Sequence, residues 1–232
     1  MNPSRHDLRV SGNTGAAIRR WRLLGLGLLA LAGSAMARQP AWTDTPARRQ
    51  AAAQALQALN ADLLAHASAT LTLERWCGTH RLASPARIVA RRVHDMDKPL
   101  PTRFRQLLGI DDAEPVAYRR VQLACGDHVL SEADNWYLPR RLTAAMNDRL
   151  DHSDAPFGKV VQPLHFRRRT LDAQMLWSPA TSDTAALPHL LLQHHAVLYD
   201  GEGRPFSALV ESYTDEVLAF PAPQGAATNA GG

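Results

Sequence analysis

The chain has 232 residues, of which 21% are charged and 6% aromatic, with a formal net charge of +4. That length buries a core without covalent staples, and two cysteines, Cys77 and Cys125, exclude a disulfide-built scaffold. A bilayer-spanning helix needs roughly 20 apolar residues, and the apolar run from Leu23 to Ala32 supplies about half of that.

The N-terminal stretch predicts a secretory leader. Arg19, Arg20 and Arg22 precede the apolar run, and Ala35-Met36-Ala37 closes it in the small-x-small pattern of a signal peptidase site, so residues 1–37 are expected to be removed. The Arg19-Arg20 pair also permits twin-arginine export. The expected location is the periplasm or the cell exterior. Cleavage takes away Arg5, Arg9, Arg19, Arg20 and Arg22 against Asp7 alone, which brings the net charge of the mature chain to zero. A basic surface for phosphate neutralisation is then missing, so no nucleic-acid partner is expected. No stable membrane insertion is expected after cleavage. Whether Cys77 and Cys125 pair stays open: an oxidising compartment permits it, and a buried free cysteine is ordinary packing.

The mature chain opens on a predicted helix over residues 47–67, free of Pro and Gly, with Leu56, Leu59, Leu63 and Leu64 at helical spacing. A second helix is predicted from Leu73 to His80, a strand within Ser84 to Val93, and a short helix over Arg103 to Leu108 after Pro99 and Pro101. Val116 to Ala124 and Val129 to Leu138 flank the turn Cys125-Gly126-Asp127-His128, which predicts an antiparallel hairpin. Leu142 to Leu150 reads as helical. An extended stretch is expected from Val160 to Leu171, where Arg167-Arg168-Arg169 read as a solvated strand face. Leu190 to Tyr199 and Pro205 to Tyr213 flank Asp200-Gly201-Glu202-Gly203, a strong hairpin signal. The tail from Pro221 to Gly232 is too small and polar to pack and is expected to be disordered. One α+β domain over residues 45–220 follows, with helices packed on a single antiparallel sheet.

No nucleotide-binding glycine loop, zincin helix or nucleophile elbow is present. His194-His195 lie next to one another on a strand and face opposite ways, and Cys77 with His80 lacks a second ligand pair, so no metal site is predicted. Arg119, on the first predicted hairpin, can bind a carboxylate bidentately, and Glu211, on the last strand, can serve general acid work if it is shielded. Residue types alone leave that pairing arbitrary. An arginine on a strand is as readily a solvated edge charge.

The run Tyr118-Arg119-Arg120-Val121-Gln122-Leu123, the strand ending Tyr137-Leu138-Pro139, Ala155-Pro156-Phe157-Gly158, and the closing hairpin through Val210-Glu211-Ser212-Tyr213 resemble the chorismate pyruvate-lyase family. The ligand-sensing UTRA domains of bacterial regulators share that fold. The resemblance implies a chorismate lyase-like domain from about Thr70 to Phe220 that uses no cofactor. It implies that Arg119 grips a ligand carboxylate, that Glu211 assists loss of the enolpyruvyl group, and that Phe157 and Gly158 stand where the Pro-Leu-Gly motif approaches the product. Thr70-Leu71-Thr72 resembles the segment whose amides meet a carboxylate at a helix start, which makes Leu71 and Thr72 candidate ligand contacts. Arg120 is a rival to Arg119, because a one-residue slip swaps which of them faces inward. The implied activity is cleavage of chorismate to 4-hydroxybenzoate and pyruvate. The alternative is a non-catalytic binding protein for a small aromatic carboxylate. A purely structural envelope role has neither repeats nor heptads behind it.

Overall fold

The computed structural model describes residues 42, 44–180 and 186–220, so the predicted leader and the predicted disordered tail lie outside the described residues. Helix α1 spans Pro46–Ala65, and its start is fixed by Pro46 in the first turn and by Thr45, whose Oγ1 accepts the Arg48 amide. Ala52, Leu56, Leu59 and Leu63 form its buried stripe. Each such leucine removed from water contributes about 1.5–3 kcal/mol. Helix α2 runs over Ala69–His80 from the Ser68 cap and ends at Arg81 in the left-handed region.

Six strands follow: β1 (Ile88–Val93), β2 (Ala117–Cys125), β3 (His128–Tyr137), β4 (Arg167–Met175), β5 (Leu190–Tyr199) and β6 (Pro205–Thr214). They form one antiparallel sheet in the order β1-β2-β3-β6-β5-β4. The two hairpins are β2–β3 and β5–β6, and they join through β3 against β6, with Ala133 opposite Glu211. Each turn has a physical cause. Gly126 and Gly203 take positive φ, and the Asp200 carboxylate accepts the amides of Glu202 and Arg204.

Helices α1, α2, α4 (Ala144–His152) and the single turn α5 (Phe157–Val160) cover one face, while α3 (Thr102–Leu108) packs on the other. The fold is α+β with a single antiparallel sheet. Two apolar clusters fill the helix-covered face, one around Leu56, Leu73 and Tyr213 and one around Leu150, Phe157 and Phe206. A smaller cluster of Phe104, Leu108, Trp136, Val197 and Ala208 lies under α3. Cys77 on α2 is joined to Cys125 at the end of β2, which ties the helix layer to the sheet.

The structure corrects two expected elements. The stretch from Val160 to Leu171 is not continuously extended: α5 and a 3-10 turn over Gln162–Leu164 come first, and the strand begins at Arg167. Phe157 and Val160 bury at an i, i+3 spacing, which a helical turn supplies. Helix α2 begins four residues before the predicted Leu73, because Ser68 rather than a later residue caps it.

Candidate functional site

Strand β2 alternates, and this sorts its two arginines. Arg119, Val121 and Leu123 face the helices, whereas Tyr118, Arg120 and Gln122 face the other side. Across the sheet, Arg119 pairs in register with Asn135 and Asn135 with Leu209; one step along, Val121 pairs with Ala133 and Ala133 with Glu211. Small Ala133 leaves room at the middle of this floor. A cavity of about 50 Å³ lies there, room for a few waters. Its roof is the start of α2, from Ala67 to Thr70, and the start of α5, with Phe166 beside them. A Cβ on Gly158 would stand 3.2 Å from the Ser68 Oγ and 3.4 Å from the Thr70 Oγ1, so a side chain there would press on the Ser68 hydroxyl and the missing one lets the two helix starts lie close together.

Arg119 is 3% exposed, and its guanidinium meets only carbonyl oxygens: Ser153 at 3.3 Å and Ala155 at 3.3 Å from both terminal nitrogens. Its Nε has no hydrogen-bond partner among the described residues. Burial, with the Arg92 charge added, lowers its pKa from the usual arginine value, and Tyr137 and then the exposed Asp154 and Asp151 offset this only in part. A buried cation without a counter-ion is costly, and an anion entering the cavity would complete it. The α2 start adds donors. Ser68 takes the Leu71 amide on its Oγ and the Thr72 amide on its carbonyl, which leaves the Ala69 and Thr70 amides of the first turn without an intrahelical acceptor.

Glu211 stands on the same floor in a different condition. Its Oε2 lies 2.6 Å from the Arg168 guanidinium and accepts the Tyr213 hydroxyl at 3.1 Å. Burial works against the Arg168 cation, but the Glu211 carboxylate more than reverses this and raises Arg168 above the arginine norm. Tyr213, fully buried and beside that carboxylate, is pushed well above the ordinary tyrosine value. Behind the pair, His194 donates from Nε2 to Asn60 Oδ1 over 2.7 Å, and burial and then Arg168 lower its pKa to about 4. The remaining wall is apolar: Val121, Leu123, Phe157, Phe166, Leu198 and Leu209. The arrangement offers a guanidinium and helix-start amides to an anion and a greasy slot to whatever carries it.

No family model matches the chain. The uncharacterized protein y4mC of Sinorhizobium fredii (strain NBRC 101917 / NGR234) is 51% identical over 199 residues, which cover 80% of this chain and 84% of that protein. The chain belongs to the y4mC family. Among solved structures, PhnF from Mycobacterium smegmatis is similar at 14% identity and a TM-score of 0.46, with 69% of each chain covered. A GntR-family transcriptional regulator from Enterococcus faecalis V583 is similar at 12% identity and a TM-score of 0.40, over 58% of this chain and 99% of that one. Nothing about ligand or activity passes from these two structures to this member of the y4mC family.

Four of the six expected site residues come together at the cavity: Arg119, Glu211, Phe157 and Gly158. Leu71 and Thr72 do not. Leu71 is exposed along a shallow groove outside, and Thr72 is fully buried, its Oγ1 accepting from Arg75. Both amides are taken by Ser68, so the amides that can meet a ligand are two residues earlier, at Ala69 and Thr70. Arg168 is the functional residue that the sequence reading misses, since it assigns the arginine run to a solvated strand face. Arg167 and Arg169 are exposed as that reading requires, while Arg168, on the opposite pleat, has a side chain only 4% exposed. Strand alternation was the signal that could have found it. Arg120 is no rival for the site, since it pairs outside with Asp134 and Glu132 at 2.9 Å each. Among the described residues no group of three or more His, Cys, Asp or Glu side chains can hold a metal, and no helix is long and apolar enough to cross a membrane.

Proposed function

We propose that this chain is an exported, chorismate lyase-like protein whose buried pocket binds a small aromatic carboxylate. The observation that carries the reading is Arg119, a buried guanidinium without a carboxylate partner that opens onto an apolar cavity roofed by the α2 start. The ligand carboxylate sits on Arg119 and the Ala69 and Thr70 amides, and its ring enters between Phe157 and the leucines of the floor, which must part to admit it because the cavity of about 50 Å³ holds only a few waters. No metal or organic cofactor takes part, and neither nucleic acid nor a bilayer is a partner. Export is supported by the leader-like pattern of residues 1–37 and by the Cys77–Cys125 bond, since disulfides persist in oxidising compartments and are rare in the cytosol.

The test is calorimetric titration of the chain lacking residues 1–37 with 4-hydroxybenzoate. Saturable binding is expected, weakened about 30-fold or more by Arg119→Ala, the range for truncating one partner of a buried charge pair. No binding of 4-hydroxybenzoate or benzoate in a folded sample would sink the reading. For export, the mature N-terminus recovered from the envelope fraction of an expressing cell should begin at Arg38; a full-length chain kept in the cytosol would refute it.

A second reading, chorismate cleavage, is favoured by one observation: Glu211 reaches the cavity wall. Against it, the Glu211 carboxylate is already engaged by the Arg168 guanidinium at 2.6 Å and by the Tyr213 hydroxyl at 3.1 Å. Formation of pyruvate from chorismate by the parent, abolished in Glu211→Gln, would establish the lyase; its absence would leave binding alone.

A further inference from the structure

We infer that the pocket selects ligands carrying a single negative charge and discriminates against dianions of the same shape. The inference rests on the carboxylate-binding reading and names its ligand class; it opposes the chorismate-cleavage reading, whose substrate carries two carboxylates. Three ionisable side chains line the cavity: Arg119, Arg168 and Glu211. Two of them cancel, because Arg168 and Glu211 form a close pair at 2.6 Å with side chains 4% and 9% exposed. One positive charge is left over, on Arg119.

Neighbouring charges do not alter that count. Asp151 and Asp154 approach Arg119 from exposed positions, and the half-buried Arg92 opposes them. Exposed charges are screened by water, whereas charges within an apolar enclosure are not. Behind Glu211, Tyr213 is a neutral donor and the His194 ring is buried. A ligand with one carboxylate therefore neutralises the cavity. A second carboxylate would have either to displace Glu211 from Arg168, stranding a buried glutamate, or to remain uncompensated against Phe157, Leu198 and Leu209.

An isosteric pair isolates charge from shape, since a nitro group and a carboxylate have nearly the same outline. Calorimetric titration of the parent chain with 4-nitrobenzoate and with benzene-1,4-dicarboxylate should show the monoanion binding at least about tenfold tighter, the scale of leaving a buried charge without a partner. Glu211→Gln adds one net positive charge and should erase or reverse that preference. The double variant Arg168→Gln with Glu211→Gln returns the count to one and should restore it; if the single variant does not fold, the double variant alone decides. Equal or tighter binding of the dicarboxylate by the parent overturns the inference and leaves the carboxylate pocket standing. So does a preference that Glu211→Gln leaves untouched, or one that the double variant loses. Failure of both acids and of 4-hydroxybenzoate to bind the parent overturns the pocket reading, and the inference with it.

Discussion

Arg119 and Arg120 are neighbours on one strand and live under opposite electrostatic regimes. On the outer face, Arg120 bonds Asp134 and Glu132, and Asp134 also accepts from Lys98 and the Tyr118 hydroxyl. Burial alone would raise the Asp134 pKa, but these three donors outweigh it and hold the carboxyl below its usual value. On the inner face, Arg119 finds neutral carbonyls and an unpartnered Nε. A surface that closes its own charges is finished as structure. On the proposed reading, the buried charge left open is a receptor, and the stability lost in keeping it is recovered when a ligand arrives.

That contrast can be broken by removing charges one face at a time. The largest effect is expected within the inner face itself, from Arg168→Met, which leaves Glu211 buried without its partner. Breaking a buried pair costs about 3–5 kcal/mol, measurable as a lower unfolding free energy in urea. Loss of under about 1 kcal/mol would mean that the pair is more open to water than its burial indicates. Next comes Arg120→Met on the outer face, expected to cost about 1–3 kcal/mol by stripping donors from two partly buried carboxylates. Ligand affinity should not change with it. A matching loss of affinity would show that the two faces are coupled.

A smaller effect, sharpening the inner side alone, lies in the pH dependence. His194 titrates near 6.5 when unfolded, and burial brings it to about 4 in the folded chain. Between those values the unfolded chain holds the extra proton, so acid favours unfolding: the stability from neutral His194 is complete above pH 6.5 and is lost as pH falls toward 4. Urea unfolding across that window should show the decline in the parent and a flatter profile in His194→Gln. An unchanged slope would assign the acid sensitivity to other groups.

Much of this architecture was legible beforehand. Turn chemistry made both hairpins readable, since Gly126 and the Asp200-Gly201-Glu202-Gly203 cluster supply the positive φ and the local amide acceptors that a tight reversal needs. Four of the six expected site residues meet in the pocket: Arg119 and Glu211 because strand register fixes their direction, and Phe157 and Gly158 because they open the helical turn α5 above that floor. Leu71 and Thr72 lie two positions past the free amides of Ala69 and Thr70, because the cap belongs to Ser68 and capping competes among several hydroxyl residues in Ser68-Ala69-Thr70-Leu71-Thr72. Arg168 is hidden by its own neighbours: three consecutive arginines look solvated as a group, although alternation puts the middle one on the opposite pleat, where it meets Glu211. The pairing of Cys77 with Cys125 needed the sheet, which brings a helix residue and a strand end to a Cα separation of 6.5 Å across 48 residues of chain.

The account turns on Arg119 being a buried charge that waits for an anion. Thermal unfolding of Arg119→Met beside the parent, each with and without 4-hydroxybenzoate, addresses this directly. A variant that melts no lower than the parent without ligand, and that alone gains nothing from the acid, is the predicted result. A variant that melts well below the parent, or that is stabilised by the acid as the parent is, would contradict it.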